Sequence, residues 1–434
     1  MDTIYNAVIR SKRCISYQSG ILQRISKASR ANEDPLLSSI GIVSCDTSKL
    51  GAVRFGGRSS GCGYDIYNAY MSTIGETIER YCPAFFEIEK MIKSPYKSLK
   101  VDAVHPTEFA LFHKKQYDGF KSTSKPICEF NEDTDIYWDS CVDLTTGKVM
   151  YCPAAFLYLP WLKDERPIFY GVSTGLSSHT NFYKALLTSL YEVIERDSFV
   201  LTWFQKIVPP KIILTQEITK YIAERFPAKY SWHFFDITYD LNIPTIFGIC
   251  FGKADYGDFV AVGTAARYTK GAALKKVIQE IAQTIPYFRY ILSKNENWEP
   301  SDNFQNIIDF EKHSIFYLKK KEYQTVFDCW VNAVPSQIVN IEEKDDIPIK
   351  EKIRSIISLF KDKGYNVLLK DLTTSDARQI GFFCLRVVVP QLLQMTGAYD
   401  YYPLGGKRLY EVPQIMGYSS AEYENLNTYP HPFP

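Results

Sequence analysis

The sequence lacks the runs and pairs that mark several protein classes. No apolar run approaches 18 residues, and the best one, around Val387–Val389, stops at Pro390, so no membrane-spanning helix is predicted. The amino terminus has no basic stretch followed by an apolar one, so no secretory signal is predicted. The ten cysteines include no C-x-x-C pair, which argues against a zinc ribbon and a disulfide scaffold. Reduced thiols fit best, and a cytoplasmic protein is expected.

An excess of one charge is also missing. Fifty Lys and Arg residues stand against 49 Asp and Glu residues, for a net charge of +1 over 434 residues. This balance argues against a broad surface for nucleic acid or for membrane. The glycine-rich stretch 56–63 contains no G-x-x-x-x-G-K-[ST] and is therefore not a Walker loop.

One short motif occurs twice. S-T-I-G-E-T-I-E-R occupies 72–80, and T-S-L-Y-E-V-I-E-R occupies 188–196. On a helix, Glu76 and Glu79 project from one face, and Glu192 and Glu195 do the same, with Ser72 one turn before the first pair. Solvated carboxylates at this spacing repel by about 0.2–0.5 kcal/mol. The motif is therefore either a solvated face with local Glu–Arg pairs or part of a site.

The repetition favours a site in which the four carboxylates converge on divalent cations. Mg²⁺ takes oxygen ligands and is usually shared between carboxylates and nucleotide phosphates. Arg80 and Arg196 are then candidates to contact phosphate oxygens. A third pattern, K-V-I-Q-E-I-A-Q, places Lys276, Glu280 and Gln283 at the spacing of the serine and two glutamates of the first motif. Three polar-faced helices of one design indicate one shared site.

Strand and helix patterns alternate along the chain, which predicts an α/β fold. Pro83 and Pro286 are expected to end the first and third motif helices, and Thr180 or Asn181 to begin the second. The glycine-rich stretch is predicted to be a loop that offers backbone N–H groups to an anion. The other predicted elements are a helix at 21–31, strands at 52–55 and 168–173, a loop at 174–181, a hairpin at 136–157, strands at 243–251, 259–266, 365–373 and 382–392, a helix at 350–361, and a peripheral region at 291–350.

The chain ends in Y-P-H-P-F-P, with alternating Pro430, Pro432 and Pro434. Alternating prolines hold an extended rod that has little entropy left to lose on docking. A frayed end is the usual fate of a terminus. This composition favours a docked rod, in which His431 is a candidate for proton transfer.

These features resemble the YcaO family. The two E-x-x-E-R motifs, A-L-K-K-V-I-Q-E-I-A-Q at 273–283 and D-L-T…R-V-V-V-P at 371–390 occur in the family's order. The resemblance extends from about Gly56 to the last residue. Within the family, the terminal P-x-P-x-P is similar to that of the D proteins, which form azolines in thiazole/oxazole-modified peptide pathways.

The resemblance implies strand–helix units interleaved around a central site for ATP and Mg²⁺. It implies an amino-terminal segment for partner docking at 1–52 and a catalytic domain at 53–434 that ends in the proline-rich tail 429–434. The implied metal ligands are Glu76, Glu79, Glu192 and Glu195. The implied nucleotide site comprises these four residues together with Ser72, Arg80, Arg196, Lys276 and Glu280. The implied catalytic residues of the tail are Pro430, Pro432 and Pro434.

The implied activity is that of an ATP-dependent cyclodehydratase subunit. A Cys, Ser or Thr side chain of a ribosomal precursor peptide attacks the preceding amide, and the amide oxygen takes the γ-phosphoryl group and leaves as phosphate. The implied partners are the precursor peptide, an E1-like (ThiF-like) leader-binding protein and a flavin dehydrogenase. Two alternatives stay open, a YcaO enzyme that forms thioamides or amidines and a non-catalytic docking scaffold. The P-x-P-x-P terminus argues against the first and the complete E-x-x-E pairs against the second.

The chain departs from the family pattern at a few positions. Many members have Asn and Glu where this chain has Thr180 and Lys184, and Arg where it has Lys276. Lys184 reverses the charge, so no metal ligand is assigned there. Lys276 can meet a phosphate only as a point charge, without the fork of a guanidinium group. The G-K-G turn common before the first helix is G-C-G here, at 61–63.

Overall fold

The computed structural model describes residues 3–121, 126–227 and 229–433. The strands are β1 Leu22–Lys27, β2 Ser38–Ser44, β3 Arg58–Gly63, β4 Ile92–Ser94, β5 Ile136–Asp143, β6 Val149–Pro153, β7 Leu176–His179, β8 Lys211–Ile212, β9 Ser231–Asp236, β10 Thr245–Ala254, β11 Gly257–Ala266, β12 Pro335–Gln337, β13 Leu368–Asp371 and β14 Phe383–Val388. The helices are α1 Ile4–Ser11, α2 Ile66–Tyr81, α3 Gln116–Phe120, α4 Phe182–Phe204, α5 Gln216–Ala223, α6 Lys270–Lys294, α7 Phe310–Lys319, α8 Asp328–Val331, α9 Ile349–Asp362, α10 Ser375–Gln379 and α11 Lys407–Ile415.

The strands form three sheets, and each motif helix packs against at least one of them. The sheet orders are β1-β2-β3, β11-β10-β9-β8-β12 and β4-β5-β13-β14-β7, with β6 paired to β5. Helix α2 packs on β2 and β3, α6 packs on β10 and β11, and α4 contacts both β11 and β14. The predicted α/β class is confirmed, and α4 lies between two sheets at the centre.

The three motif helices begin in the same way. Asp65, Asn181 and Thr269 each precede a helix, and each side chain accepts a hydrogen bond from the backbone N–H of the third residue after it. Such N-caps satisfy one of the donors that a helix start leaves open. The expected start at Asn181 is confirmed. The expected end of α2 just before Pro83 is also confirmed, since the helix stops at Tyr81.

The first sheet contradicts three predictions. The predicted helix at 21–31 is strand β1, which pairs antiparallel with β2. No strand forms at 52–55 within the described ranges, and the glycine-rich stretch becomes β3 from Arg58. Its glycines admit α2 rather than an anion, because a Cβ at Gly61 would lie 2.3 Å from the backbone nitrogen of Thr73. The backbone of this stretch therefore pairs with β2 and packs against α2, whereas in a loop its N–H groups would be free to bind an anion.

Two further predictions fail for reasons of packing. The strand expected at 168–173 lies instead at 176–179, as β7, where pairing with β14 is available. Helix α6 continues through Pro286 to Lys294. A proline inside a helix costs about 3 kcal/mol. Beyond it, Phe288 and Ile291 are completely buried, and each such side chain stabilises by about 1.5–3 kcal/mol, which together outweighs that cost.

The region 291–350 is not peripheral, contrary to its charged composition. Phe316, Tyr317 and Trp330 are fully buried in the largest apolar core. The charged residues lie on the outer side, where Lys294 pairs with Glu311 at 2.8 Å. The other expected elements are confirmed, namely the hairpin β5–β6, strands β10, β11, β13 and β14, and helix α9. None of the helices that the described residues form is long and apolar enough to cross a bilayer.

Candidate active site

Strand β7 ties the two E-x-x-E-R helices together. Successive residues of a strand point to opposite faces. The Ser178 hydroxyl donates to the Gly75 carbonyl oxygen on α2 at 2.6 Å, and the Ser177 hydroxyl donates to the Ala185 carbonyl oxygen on α4 at 2.6 Å. Two adjacent serines thus hold the two motif helices on either side of one short strand.

The backbone orients the first glutamate of each motif. The Ser60 N–H of β3 donates to Glu76 Oε2 at 3.3 Å, and the Gly175 N–H donates to Glu192 Oε2 at 3.3 Å. Glu195 is held from β11, where the Thr264 hydroxyl donates to its Oε1 at 2.8 Å. Each of these carboxylates is therefore aimed by a neighbouring strand or loop rather than left to move in solvent.

The carboxylates of the two motifs lie close enough to repel one another. The pKa of Glu79 is raised to about 8, mainly by burial and also by the neighbouring Glu192 and Glu76, against the opposing effect of Arg80. Burial likewise raises the pKa of Glu195 to about 7, with Glu280 of α6 adding to the increase. The Glu79 side chain still keeps 19% of its surface open to solvent. A divalent cation placed among these groups would relieve both the burial and the repulsion.

The arginine of each motif has one unsatisfied donor. Arg80 Nη1 lies 3.5 Å from Glu79 Oε1, and Arg196 Nη2 lies 3.8 Å from Glu195 Oε1, so both pairings are loose. Arg80 Nη1 and Arg196 Nη1 are buried and find no hydrogen-bond partner among the described residues. Buried donors are normally satisfied. Two equivalent guanidinium groups with open donors suit the oxygens of a phosphate chain.

Helix α6 brings the third polar face to the same place. Lys276 Nζ lies 3.2 Å from Glu280 Oε1, and both side chains are about a third exposed. The Cys62 thiol on β3 donates to Gln283 Oε1 at 3.2 Å. The G-C-G of β3 therefore contacts the polar face of α6. Ser72 lies on the exposed side of α2, one turn before Glu76.

Arg386 was missed as a site residue by the sequence reasoning. It lies on β14 with 1% of its surface exposed, and it donates to the carbonyl oxygens of Phe156 at 2.8 Å and Val172 at 2.7 Å. Burial lowers its pKa to about 10, although Glu192 opposes this change. A charged residue inside the apolar run of R-V-V-V-P was the available signal, since unpaired charges are rarely buried in a strand.

No set of three or more His, Cys, Asp or Glu within the described ranges is arranged to hold a metal by itself. Glu76, Glu79 and Glu192 share the environment of Arg80, whereas Glu195 faces Glu280. The chain's carboxylates thus fall into two neighbouring groups, one around Arg80 and one between Arg196 and Glu280. This arrangement fits Mg²⁺ ions that take part of their ligands from phosphate and water. The four glutamates stay predicted ligands, and the chemistry of these donors fits ATP with Mg²⁺.

The carboxy-terminal tail is docked, not frayed, up to Phe433, which lies beside the second motif. Tyr317 donates its hydroxyl to the Pro430 carbonyl oxygen at 2.6 Å, and both Pro430 and Pro432 are buried. The guanidinium carbon of Arg196 lies 5.2 Å from the centre of the Phe433 ring. Pro434 lies outside the described residues. The catalytic role assigned to the three prolines stays a prediction.

His431 has a structural position that does not suit proton transfer. Its ring stacks on His313 at 3.8 Å between centres, and its Nε2 lies 2.9 Å from the Thr396 carbonyl oxygen. Its Nδ1 accepts from the Phe433 N–H at 3.3 Å. Burial lowers the pKa of His431 to about 4. Both ring nitrogens are therefore used by the backbone.

Comparison with solved structures shows the same fold in proteins of low sequence identity. A structure described as a heterocyclase in complex with substrate and cofactor aligns with a TM-score of 0.78 and 20% identity, covering all of this chain and 58% of the other. YcaO from Methanopyrus kandleri, bound with AMPPCP and Mg²⁺, aligns with a TM-score of 0.62 and 16% identity over 90% of each chain. The E. coli microcin synthetase McbBCD complex with pro-MccB17 bound aligns with a TM-score of 0.63 and 15% identity over 94% of this chain and 96% of the other.

The chain thus spans little more than half of the first of these structures. Comparison with curated protein sequences gives no match. The family model described as YcaO cyclodehydratase, ATP- and Mg²⁺-binding, matches residues 60–393, which include all three motif helices. ATP and Mg²⁺ are therefore confirmed as the ligands of an ATP-dependent enzyme family, and the chain belongs to the YcaO family.

Proposed function

We propose that this chain is an ATP-dependent cyclodehydratase subunit that converts Cys, Ser or Thr of a ribosomal precursor peptide to azolines. One observation carries the proposal. The equivalent arginines of two repeated motifs, Arg80 and Arg196, each keep a buried donor that no described residue satisfies, beside carboxylates that repel one another. Phosphoryl transfer needs positioned cations and donors rather than covalent help from the protein.

The proposed site has two kinds of ligand-binding residue, carboxylates for Mg²⁺ and guanidinium groups for the phosphates of ATP. Glu76, Glu79, Glu192 and Glu195 would hold Mg²⁺, and Arg80 and Arg196 would donate to phosphate oxygens. Ser72, Lys276 and Glu280 complete the proposed nucleotide site. When bound, ATP supplies the phosphoryl group that turns the amide oxygen of the peptide into a leaving group, with Mg²⁺ neutralising its charge.

The tail marks where the peptide would react. Its backbone is anchored by Trp203, which donates to the Tyr429 carbonyl oxygen at 3.0 Å, and by Tyr317 at the next residue. Phe433 then contacts Arg196, so the described part of the tail reaches the proposed phosphate site. A rigid terminus at this point would orient the attacked amide and exclude water from it.

The partners proposed are the precursor peptide, an E1-like leader-binding protein and a flavin dehydrogenase that oxidises azolines to azoles. Support comes from the microcin synthetase neighbour, a complex described with a pro-peptide bound. If a partner presents the peptide, this chain alone will cyclise full-length peptide slowly and the partner will raise the rate. If this chain alone bound the leader tightly and cyclised the peptide as fast as it does with the partner, the requirement for a partner would be contradicted.

Mass spectrometry of a peptide incubated with the protein, its partner, ATP and Mg²⁺ tests the proposed reaction. Loss of one water for each modified residue identifies an azoline. Exchange of sulfur for oxygen would identify a thioamide-forming enzyme instead. An unchanged peptide together with absent ATP turnover would favour a docking scaffold.

A further inference from the structure

The amino-terminal part of the chain carries a concentrated positive charge that the site does not use. Between residues 3 and 30 there are six Lys or Arg residues and no Asp or Glu, although the whole chain has a net charge of only +1. Lys27 and Arg30 are exposed, and neither forms an ion pair in the part of the chain that the structure describes. This segment therefore presents a local positive field to an acidic ligand.

Strand β1 offers an open edge next to these cations. It is the outer strand of the β1-β2-β3 sheet. Ser16 donates to the Leu22 carbonyl oxygen at 3.0 Å and covers the start of that edge. Beyond it, no described strand pairs with β1 on the side away from β2. Unpaired strand edges are templates for an additional strand.

The register shows which backbone groups face outward. The Ala28 N–H donates to the Ser39 carbonyl oxygen at 2.9 Å, so Ala28 points toward β2. Lys27 lies opposite Ile40 and Ile25 lies opposite Ile42. Both are non-hydrogen-bonded pairs, because they alternate along the strand with hydrogen-bonded pairs such as Ala28 and Ser39. In an antiparallel ladder, such alternate residues direct their N–H and C=O groups away from the partner strand. The N–H and C=O groups of Ile25 and Lys27 therefore form the open edge.

A recess continues from the end of this edge. It has a volume of 590 Å³ and is bounded by the loop between β1 and β2. Leu36 and Tyr64 in its wall are 44% and 42% exposed, which is high for large apolar side chains. Lys27 and Arg30 line the same recess. It can therefore take an apolar side chain that is flanked by carboxylates.

We propose that β1 and this recess bind an acidic, extended segment of the precursor peptide as a fourth strand of the sheet. The proposal rests on the proposed function, which supplies the peptide. Strands lie about 4.8 Å apart, so the added strand would run about 14 Å from β3. The Ser60 N–H of β3 holds Glu76 at the site. About five extended residues span that distance, so a peptide docked at β1 can deliver its next residues to the carboxylates of α2 and α4.

The test uses a fluorescein-labelled dodecapeptide of alternating Glu and Val, with binding followed by fluorescence anisotropy. Lys27→Ala removes one charge and is expected to weaken binding about threefold, as one screened ion pair would. Lys27→Pro removes the same charge and also the outward N–H, and it is expected to weaken binding by about a further tenfold. Lys27→Glu keeps the N–H, reverses the charge and should weaken binding more than Lys27→Ala does. ATP affinity, measured in parallel, should be unchanged in all three variants.

With a precursor peptide as substrate, Lys27→Pro should raise KM and leave kcat unchanged relative to Lys27→Ala. Equal binding by Lys27→Pro and Lys27→Ala would overturn strand addition. Equally tight binding of a Lys/Val dodecapeptide, or equal competition by oligothymidylate, would overturn selection for an acidic peptide. Normal cyclisation with no effect of Lys27→Pro on KM would overturn the docking edge alone. Probe binding without any cyclisation would overturn the proposed function and, with it, the occupant named here.

Discussion

Arg196 contacts both the second glutamate pair and the carboxy-terminal tail. Its guanidinium carbon lies 5.2 Å from the centre of the Phe433 ring, and its Nη2 lies 3.8 Å from Glu195 Oε1. A guanidinium group over an aromatic face is held by attraction to the ring as well as by neighbouring charge. The tail therefore helps to orient the donor that the proposed site directs at phosphate.

Replacing either second-motif carboxylate is expected to abolish ATP turnover with the fold intact. Glu192→Gln and Glu195→Gln keep side-chain shape but remove a negative oxygen ligand, so metal and nucleotide binding should weaken together. Glu299→Gln is the matched control, since Glu299 is 69% exposed in a surface ion pair with Lys319. Phosphate release and circular dichroism provide the measurement. Wild-type ATP consumption by either folded variant would contradict the metal site.

Arg408 is expected to be required for stability. It donates through Nε to Asp197 at 3.0 Å and through Nη1 to Asp240 at 2.9 Å, with 3% of its surface exposed. Arg408→Met would leave the buried Asp197 carboxylate without its ion pair, while Asp240 keeps Lys363 at 2.9 Å, and it should lower the free energy of unfolding by about 3–5 kcal/mol. The control Arg378→Met breaks an exposed pair and should cost at most about 1 kcal/mol. Urea denaturation distinguishes the two, and similar losses would contradict this account.

The sequence could predict the elements that carry their own local signals. The caps at Asp65 and Asn181 and the stop before Pro83 depend on neighbouring residues, and the carboxylate pairs follow from helical spacing. The strand at 58–63 could not be predicted, because Gly61 is selected by the close backbone of Thr73, a contact made only in the folded state. Pairing within the sheet determines the strand conformation of residues 58–63.

The environment of the site depends equally on distant contacts. Arg386 reaches Phe156, which is 230 residues away in the chain, so no local pattern assigns its role. The buried character of α7 likewise follows from tail docking, since His313 Nδ1 lies 3.0 Å from the His431 carbonyl oxygen. The charged composition of 291–350 reflects only its outer side, and it gives no indication of the apolar side that packs against the tail.

Stability is expected to fall with acid because of the buried histidines. The pKa of His431 is about 4 in the folded protein, below the usual value of about 6.5. The unfolded chain therefore binds the proton first, and stability present above about pH 6.5 is lost as the pH falls toward 4. For His431 alone the loss is at most about 3 kcal/mol.

Urea midpoints between pH 7 and pH 4.5 measure this dependence. His431→Phe removes the titrating group and keeps a ring to stack on His313, so its midpoint should fall less over that interval than the midpoint of the wild type. His105→Phe is the control, because His105 lies near the surface, where 28% of its side chain is exposed. The same slope in His431→Phe and wild type would contradict a role for the buried pair.

Disturbing the tail is expected to reduce cyclisation far more than nucleotide affinity. Removal of 429–434 deletes the ring that contacts Arg196, whereas a few residues added after Pro434 keep this ring and lengthen a terminus that we propose to lie at the site. The rod loses little entropy on docking, so its placement is firm and an extension cannot be accommodated by fraying. The measurement compares peptide cyclisation rate with ATP affinity in the wild type, the deletion and the extension. A carboxy-terminal extension that leaves cyclisation unchanged would show that the tail only supports the fold, and it would remove the strongest sequence argument for azoline formation.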